Sequence, residues 1–115
     1  PPPPARVVVC DRACRKRIIR RRWAAVVRAY GVQRLRARMR CESGSHGGYR
    51  LYTTGNGHFF AHQFQPEAWK AAGGRVTSTG LPIGRWTRQP SRLEQDYRAV
   101  VWERLHGGDP WPNCP

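Results

Sequence analysis

Acidic residues are scarce in this chain. Seven Asp and Glu stand against 21 Lys and Arg in 115 residues, for a formal charge of +14. Lysine is scarce too, two against 19 arginines, a bias that an arginine-rich genome would also produce. No run of about 18 apolar residues is present, so no membrane span is expected. Nor is there an apolar run behind a basic start near Pro1 to Pro4. The opening therefore reads as a processing boundary rather than a signal peptide, which leaves secretion open. There is no internal repeat, and the length suits one domain with one core.

The charge is unevenly spread. Residues 1–41 hold 13 Lys and Arg and one acid, Asp11, whereas residues 42–115 hold eight and six. A basic block of that strength implies an anionic partner, whether nucleic acid, an acidic polymer or a membrane surface. A solvated helix face accounts for it equally well. Four cysteines, Cys10, Cys14, Cys41 and Cys114, allow three pairings. Closing a long loop such as Cys41–Cys114 would stabilise by roughly 4 kcal/mol in the chain-entropy model. Oxidised pairs would place the chain outside the cytosol.

A Pro-rich start and an apolar run (Val7, Val8, Val9) open the chain. Residues 11–29 read as a helix, with Ile18, Ile19, Trp23, Val26 and Val27 at helical spacing, ended by Gly31. A second helix is expected from Val32 to about Glu42. Its apolar row, Val32, Leu35 and Met39, continues by three to Glu42, while Arg34, Arg36, Arg38 and Arg40 mostly point elsewhere. Thr54-Gly55-Asn56-Gly57 between aromatic-rich runs (Tyr49 to Tyr52, His58 to Phe60) predicts a hairpin. A short helix is expected over Pro66–Ala72, stopped by Gly73-Gly74. Residues 73–90 read as a Gly/Pro/Thr-rich loop. Ser91 and Glu94 form a capping box for a last helix striped by Leu93, Tyr97, Val100, Val101 and Leu105 and ended at Gly107.

Glu42 is the candidate for chemistry. A carboxyl on an apolar helix face loses hydration, which raises its pKa and lets it donate a proton near neutral pH. A departing glycosidic oxygen needs such a donor. The competing reading is a glutamate at a frayed helix end, paired with a neighbouring arginine.

The ordered series Cys41-Glu42-Ser43-Gly44, Thr54-Gly55-Asn56-Gly57, Gln63-Phe64, Trp69, Gly73-Gly74, Ser91-Arg92, Glu94-Gln95 and Trp111-Pro112-Asn113-Cys114 resembles the resuscitation-promoting factor family. These are lysozyme-like, transglycosylase-type domains of Gram-positive bacteria. The resemblance covers residues 32–115 and leaves 1–31 as a Pro-rich start and arginine-rich helical extension. It implies that Glu42 is the catalytic glutamate and that Cys41 and Cys114 form a disulfide. Thr54, Asn56, Gln63 and Trp111 are implied to meet the sugar, and Trp69 to sit in the core. Three departures stand out. Phe60, Ala61 and His62 replace the Gly-Gly-Leu of a Gly-Gly-Leu-Gln-Phe segment, His58 replaces an aromatic residue, and the loop over 75–90 is longer and more basic.

Ordinary glycosidases use two carboxylates. Here Asp11, Glu67, Glu94, Asp96, Glu103 and Asp109 all lack an apolar setting like that of Glu42. A lone acid suits a route in which the substrate's N-acetyl group supplies the nucleophile. His58 and His62 with Cys10 and Cys14 suggest a zinc site, but the gap between the pairs is far longer than in a compact finger. The reading is therefore α+β and lysozyme-like, predominantly helical, with a short β-hairpin beside the active-site cleft. It implies a secreted or wall-associated enzyme that cleaves the MurNAc–GlcNAc bond of peptidoglycan without metal or organic cofactor. Its partners would be glycan strands and, through the arginine-rich segment, anionic cell-wall polymers. The alternatives are a glycan-binding module whose cleft is filled by Phe60, and a basic nucleic-acid-binding protein, for which no finger, zipper or RNP-type pattern appears.

Overall fold

The computed structural model describes residues 1–4 and 9–115. Of the expected apolar run, Val7 and Val8 lie outside the described residues, and Val9 is exposed. The architecture is α+β and mostly helical. Its elements are α1 (Arg12–Tyr30), α2 (Val32–Ser43), α3 (Pro66–Ala71), a two-stranded antiparallel sheet of β1 (Arg75–Val76) and β2 (Pro82–Ile83), and α4 (Arg92–His106). Single turns of 3-10 helix at Gly44–His46 and Gly48–Arg50 follow α2.

Asp11 caps α1 by accepting from the Cys14 amide, which satisfies an N-terminal donor. Cys10 lies just outside the helix, which lets it pair with Cys14 in a disulfide four residues apart. Gly31, at φ 122°, joins α1 directly to α2 through a backbone conformation that a Cβ disfavours. The arginine-rich helix is no loose tail. Trp23 and Val27 are buried, and the Trp23 ring lies 5.2 Å from Tyr97, 5.1 Å from Trp86 and 5.1 Å from the Arg98 guanidinium.

α4 is the central helix, covered by α1 on one side and by the 59–64 turn and α3 on another, and this changes its expected face. Leu105 is 60% exposed, and Leu93, Tyr97 and Val101 are only half-buried. The buried positions are Glu94, Gln95, Asp96, Arg98, Ala99 and Val100. Ser91 caps α4 as expected, accepting from the Glu94 amide. The return arm of the capping box is absent. The Glu94 carboxylate instead accepts from the Arg85 amide and from Arg98.

The expected hairpin is reduced to bridges. Thr53 pairs with Phe59 and Phe59 with Phe64, with no further ladder. Phe59 and Phe60 turn inward against Tyr52, and Phe60 takes a positive φ of 66°, which ends the pairing. The regular sheet lies instead in the segment read as loop. A tight turn over Thr77–Leu81, with Gly80 at φ 85°, sets β1 against β2. Trp69, fully buried, donates its indole N–H to the Arg75 and Ile83 carbonyls and so ties α3 to both strands. A Cβ at Gly74 would run into that indole.

Because Trp23 fastens α1 to the rest of the core, Trp23→Ala is expected to destabilise the whole domain by about 3–5 kcal/mol, measured by chemical denaturation. Loss of α1 helicity alone, with a second transition for the remainder, would show that the extension folds separately.

Candidate active-site cleft

Glu42 stands in the last turn of α2, and this helix end is fixed rather than frayed. Ser43, buried, donates its hydroxyl to the Ala61 carbonyl at 2.6 Å, and Cys41 is bonded to Cys114. The carboxyl is half-buried and takes part in no ion pair among the described residues. Burial raises its pKa above the usual carboxylate value. The positive charges of His58 and Arg38 pull it partly back, and burial is the larger effect. Arg38, one turn earlier on the same face, departs from expectation: it is fully buried. It donates to the Tyr30 hydroxyl at 2.7 Å and to Glu103 at 3.4 Å, and its guanidinium lies 4.3 Å from the Trp111 ring.

A cleft of about 310 Å³ opens beside Glu42. His58 and Gln63 flank it from the turn, Trp102 and His106 from the end of α4, and Trp111 and Asn113 from the C-terminal segment. Glu42 is the only acid among its lining residues. Gln63, at φ 55°, is held at both ends of its side chain: it donates to the Phe60 carbonyl at 2.9 Å and accepts from Asn56 at 3.4 Å. Asn56 in turn accepts from the His58 amide at 3.0 Å. Such left-handed conformations at Phe60 and Gln63 are unfavourable for side-chain-bearing residues and persist only where the surroundings impose them.

Those surroundings are a buried polar network. Gln95 accepts from the Ala61 amide at 2.8 Å. Asp96 accepts from His62 Nε2 and from the Tyr49 hydroxyl, each at 2.8 Å. Trp111 donates its indole N–H to the His62 carbonyl at 2.6 Å. His62 Nδ1 has no partner among the described residues. A protonated ring would bury an unmatched N–H there, so His62 is held neutral, and burial lowers its pKa despite Asp96. The contact with Asp96 is accordingly a hydrogen bond rather than an ion pair.

The structure gathers Glu42, Gln63 and Trp111 at the cleft and places Asn56 behind Gln63. Thr54 is exposed and not among the residues that line it. Cys41 and Cys114 are joined, and Trp111 serves as both core and wall. The Phe60 ring is fully buried against Trp69, 4.7 Å between centroids, so it does not plug the cleft. Cys10 and Cys14 are bonded to each other, which removes both as thiolate ligands. Trp102 and His106 escaped the sequence reading. Their signal was an aromatic and a histidine four apart before Gly107-Gly108. Comparison with family models, with curated proteins and with solved structures finds no match to this chain.

His62 makes a testable contribution to stability. Its folded pKa lies below the ordinary 6.5, so below that pH the unfolded chain takes up a proton that the folded ring refuses. Stability from this group is complete above about pH 6.5 and falls as the pH drops toward the folded value. Thermal unfolding across pH 4.5–8 should show the fall in wild type and a flatter curve in His62→Gln. An identical slope in both would remove His62 as its source.

Proposed function

We propose that the chain cleaves the β-1,4 bond between MurNAc and GlcNAc in peptidoglycan, on a lysozyme-like fold, with Glu42 as its single acid–base residue. The observation that carries the reading is the position of Glu42. It is an unpaired, half-buried carboxyl of raised pKa, and the only acid lining an open cleft. The ordered series of motifs that resembles the resuscitation-promoting factors also supports it. The two disulfides suit an oxidising setting outside the cytosol, where this substrate lies.

The chemistry follows from the lone acid. Protonated Glu42 donates to the leaving glycosidic oxygen. With no second carboxylate in the cleft, the N-acetyl carbonyl of the substrate closes on the anomeric carbon as that bond breaks. Glu42, now a carboxylate, then takes a proton from the sugar's own 6-hydroxyl or from water as that oxygen bonds to the anomeric carbon and displaces the N-acetyl oxygen, which leaves a 1,6-anhydro end or a reducing end respectively. Trp102, half-buried, and the cleft-facing edge of the otherwise buried Trp111 offer apolar surface to sugar rings, and Gln63 and Asn113 offer polar groups.

Digestion of purified peptidoglycan read by mass spectrometry tests this. Wild type should release muropeptides, and Glu42→Gln should release them at least about 100-fold more slowly. An anhydro mass would identify a transglycosylase. No release by wild type, where a control lysozyme is active, would end the enzymatic reading.

The pH profile supplies a second test. The acid must be protonated to act, so activity should fall as pH rises through the raised pKa of Glu42. The positive charge of His58 lowers that pKa, so His58→Gln should move the alkaline limb to higher pH. A limb that stays put would show that another group sets it.

A further inference from the structure

The first half of α1 carries charge with nothing to balance it. Arg12, Lys16, Arg17, Arg20, Arg21 and Arg22 are all exposed, and none forms an ion pair among the described residues. Of the neighbouring acids, Asp11 is committed to the helix cap and the buried Glu94 to Arg98 and the Arg85 amide. With Arg15, which donates to the Cys10 carbonyl, seven cations within 11 residues repel one another along the helix, and a polyanion laid against them would relieve that repulsion. The segment is held rigidly. The Cys10–Cys14 disulfide closes its start, and Trp23, two turns beyond Lys16, anchors it.

A second element extends the surface. Trp86 packs at a tilt against Trp23, Lys16 lies over its ring at 4.9 Å, and the exposed Arg85 guanidinium lies at 5.7 Å. Shallow grooves run from this corner between Lys16, Arg20 and Ser91, with the buried, Arg98-paired Glu94 at the floor, and from Arg17 and Arg21 to Leu93. Ser91 and Leu93 belong to the start of α4, whereas the cleft uses Trp102 and His106 at its end. The two regions thus lie at opposite ends of a helix of roughly 20 Å, so a bound polymer would leave the cleft open.

We infer that the arginine-bearing half of α1, with the Arg85–Trp86 corner, docks a cell-wall polymer whose charge is carried by phosphodiesters. The inference rests on the wall-cleaving reading for its setting. Guanidinium groups match phosphate oxygens in a forked geometry, and the binding is electrostatic and salt-sensitive. A run of phosphodiesters answers a run of arginines, whereas peptide-stem carboxylates come singly. Single-stranded nucleic acid fits less well, because the Trp86 ring is already covered by Trp23 and Lys16 and offers no stacking platform. A membrane surface fits less well because Trp23 and Val27 are buried, Ile19 and Val26 are half-buried, and Ile18, at 39%, is a single large exposed apolar side chain among the cations.

The test is co-sedimentation of Glu42→Gln protein, which does not depend on cleavage, with purified walls that retain their phosphodiester polymers and with the same walls stripped of phosphate. Binding should be at least about tenfold tighter to the unstripped walls and should weaken steeply with salt. Adding Arg17→Gln, Arg20→Gln, Arg21→Gln and Arg22→Gln should abolish that preference while helicity and unfolding temperature stay unchanged. The same four substitutions in otherwise wild-type protein should leave digestion of stripped walls intact. Equal binding to both walls, or a preference that survives the four substitutions, overturns the inference. Tighter binding to duplex DNA or to anionic lipid vesicles than to unstripped walls overturns it in favour of those partners. Absence of digestion counts against the Glu42 reading alone.

Discussion

Two adjacent polar side chains on α4, Gln95 and Asp96, hold the segments that make the cleft. Gln95 accepts from the Ala61 amide and donates to the carbonyls of Tyr49 and Pro90. Asp96 accepts from Tyr49 and His62. Through these bonds one helix fixes the 3-10 turn after α2, the inward turn at 60–63 and its own entry loop. Each buried backbone group tied in this way would otherwise cost about 1–3 kcal/mol unsatisfied, comparable to the penalty of the two left-handed residues it holds in place. The strain at Phe60 and Gln63 is thus tolerated because the network leaves that turn no other conformation. The same turn delivers Gln63 to the cleft and carries the His62 carbonyl on which Trp111 rests.

Glu42 is the counterpart of this arrangement. It sits among cations on a chain of charge +14, a setting that lowers carboxyl pKa values, yet its own is raised. Loss of hydration outweighs the attraction of His58 and Arg38. Eight of the 21 lysines and arginines lie exposed on α1, where water and salt screen them. Arg38 is closer, but its guanidinium is directed to Tyr30, Glu103 and the face of Trp111. The disulfide from Cys41 to Cys114 then brings the C-terminal wall to the residue next to Glu42.

Much of the helical framework was legible because its signals are local. The Ser91 cap, the Gly31 joint and the row Leu35–Met39–Glu42 each depend on a few neighbouring residues. What the sequence hid depends on distant ones. Glu94 looked like half of a capping box, but its partners are Arg85 and Arg98. The apolar stripe of α4 counted only hydrophobic residues, whereas its buried face is polar because loops from three other regions need donors and acceptors there. Arg38, expected to point away from the apolar row, is buried because its partners Glu103 and Trp111 are likewise remote in sequence. The Asn56-Gly57 turn was found, but its expected strands gave way to the aromatic core formed by Tyr52, Phe59 and Phe60, and the sheet formed where Thr77–Leu81 makes a tighter turn. Of the candidate site residues, Glu42, Gln63 and Trp111 come together at one cleft and Thr54 lies outside its lining. Trp102 and His106 were missed because their relation to Glu42 exists only once α4 has packed.

The central claim is that the cleft between Glu42 and the 58–63 turn receives a glycan strand. The most direct measurement is a titration of isotope-labelled Glu42→Gln protein with a MurNAc–GlcNAc oligomer, followed residue by residue in the amide and indole spectra. The account predicts saturable shifts concentrated on residue 42, His58, Gln63, Trp102 and Asn113, with α1 unaffected. Shifts confined to other surfaces, or none at oligomer concentrations that saturate a control lysozyme, would contradict it.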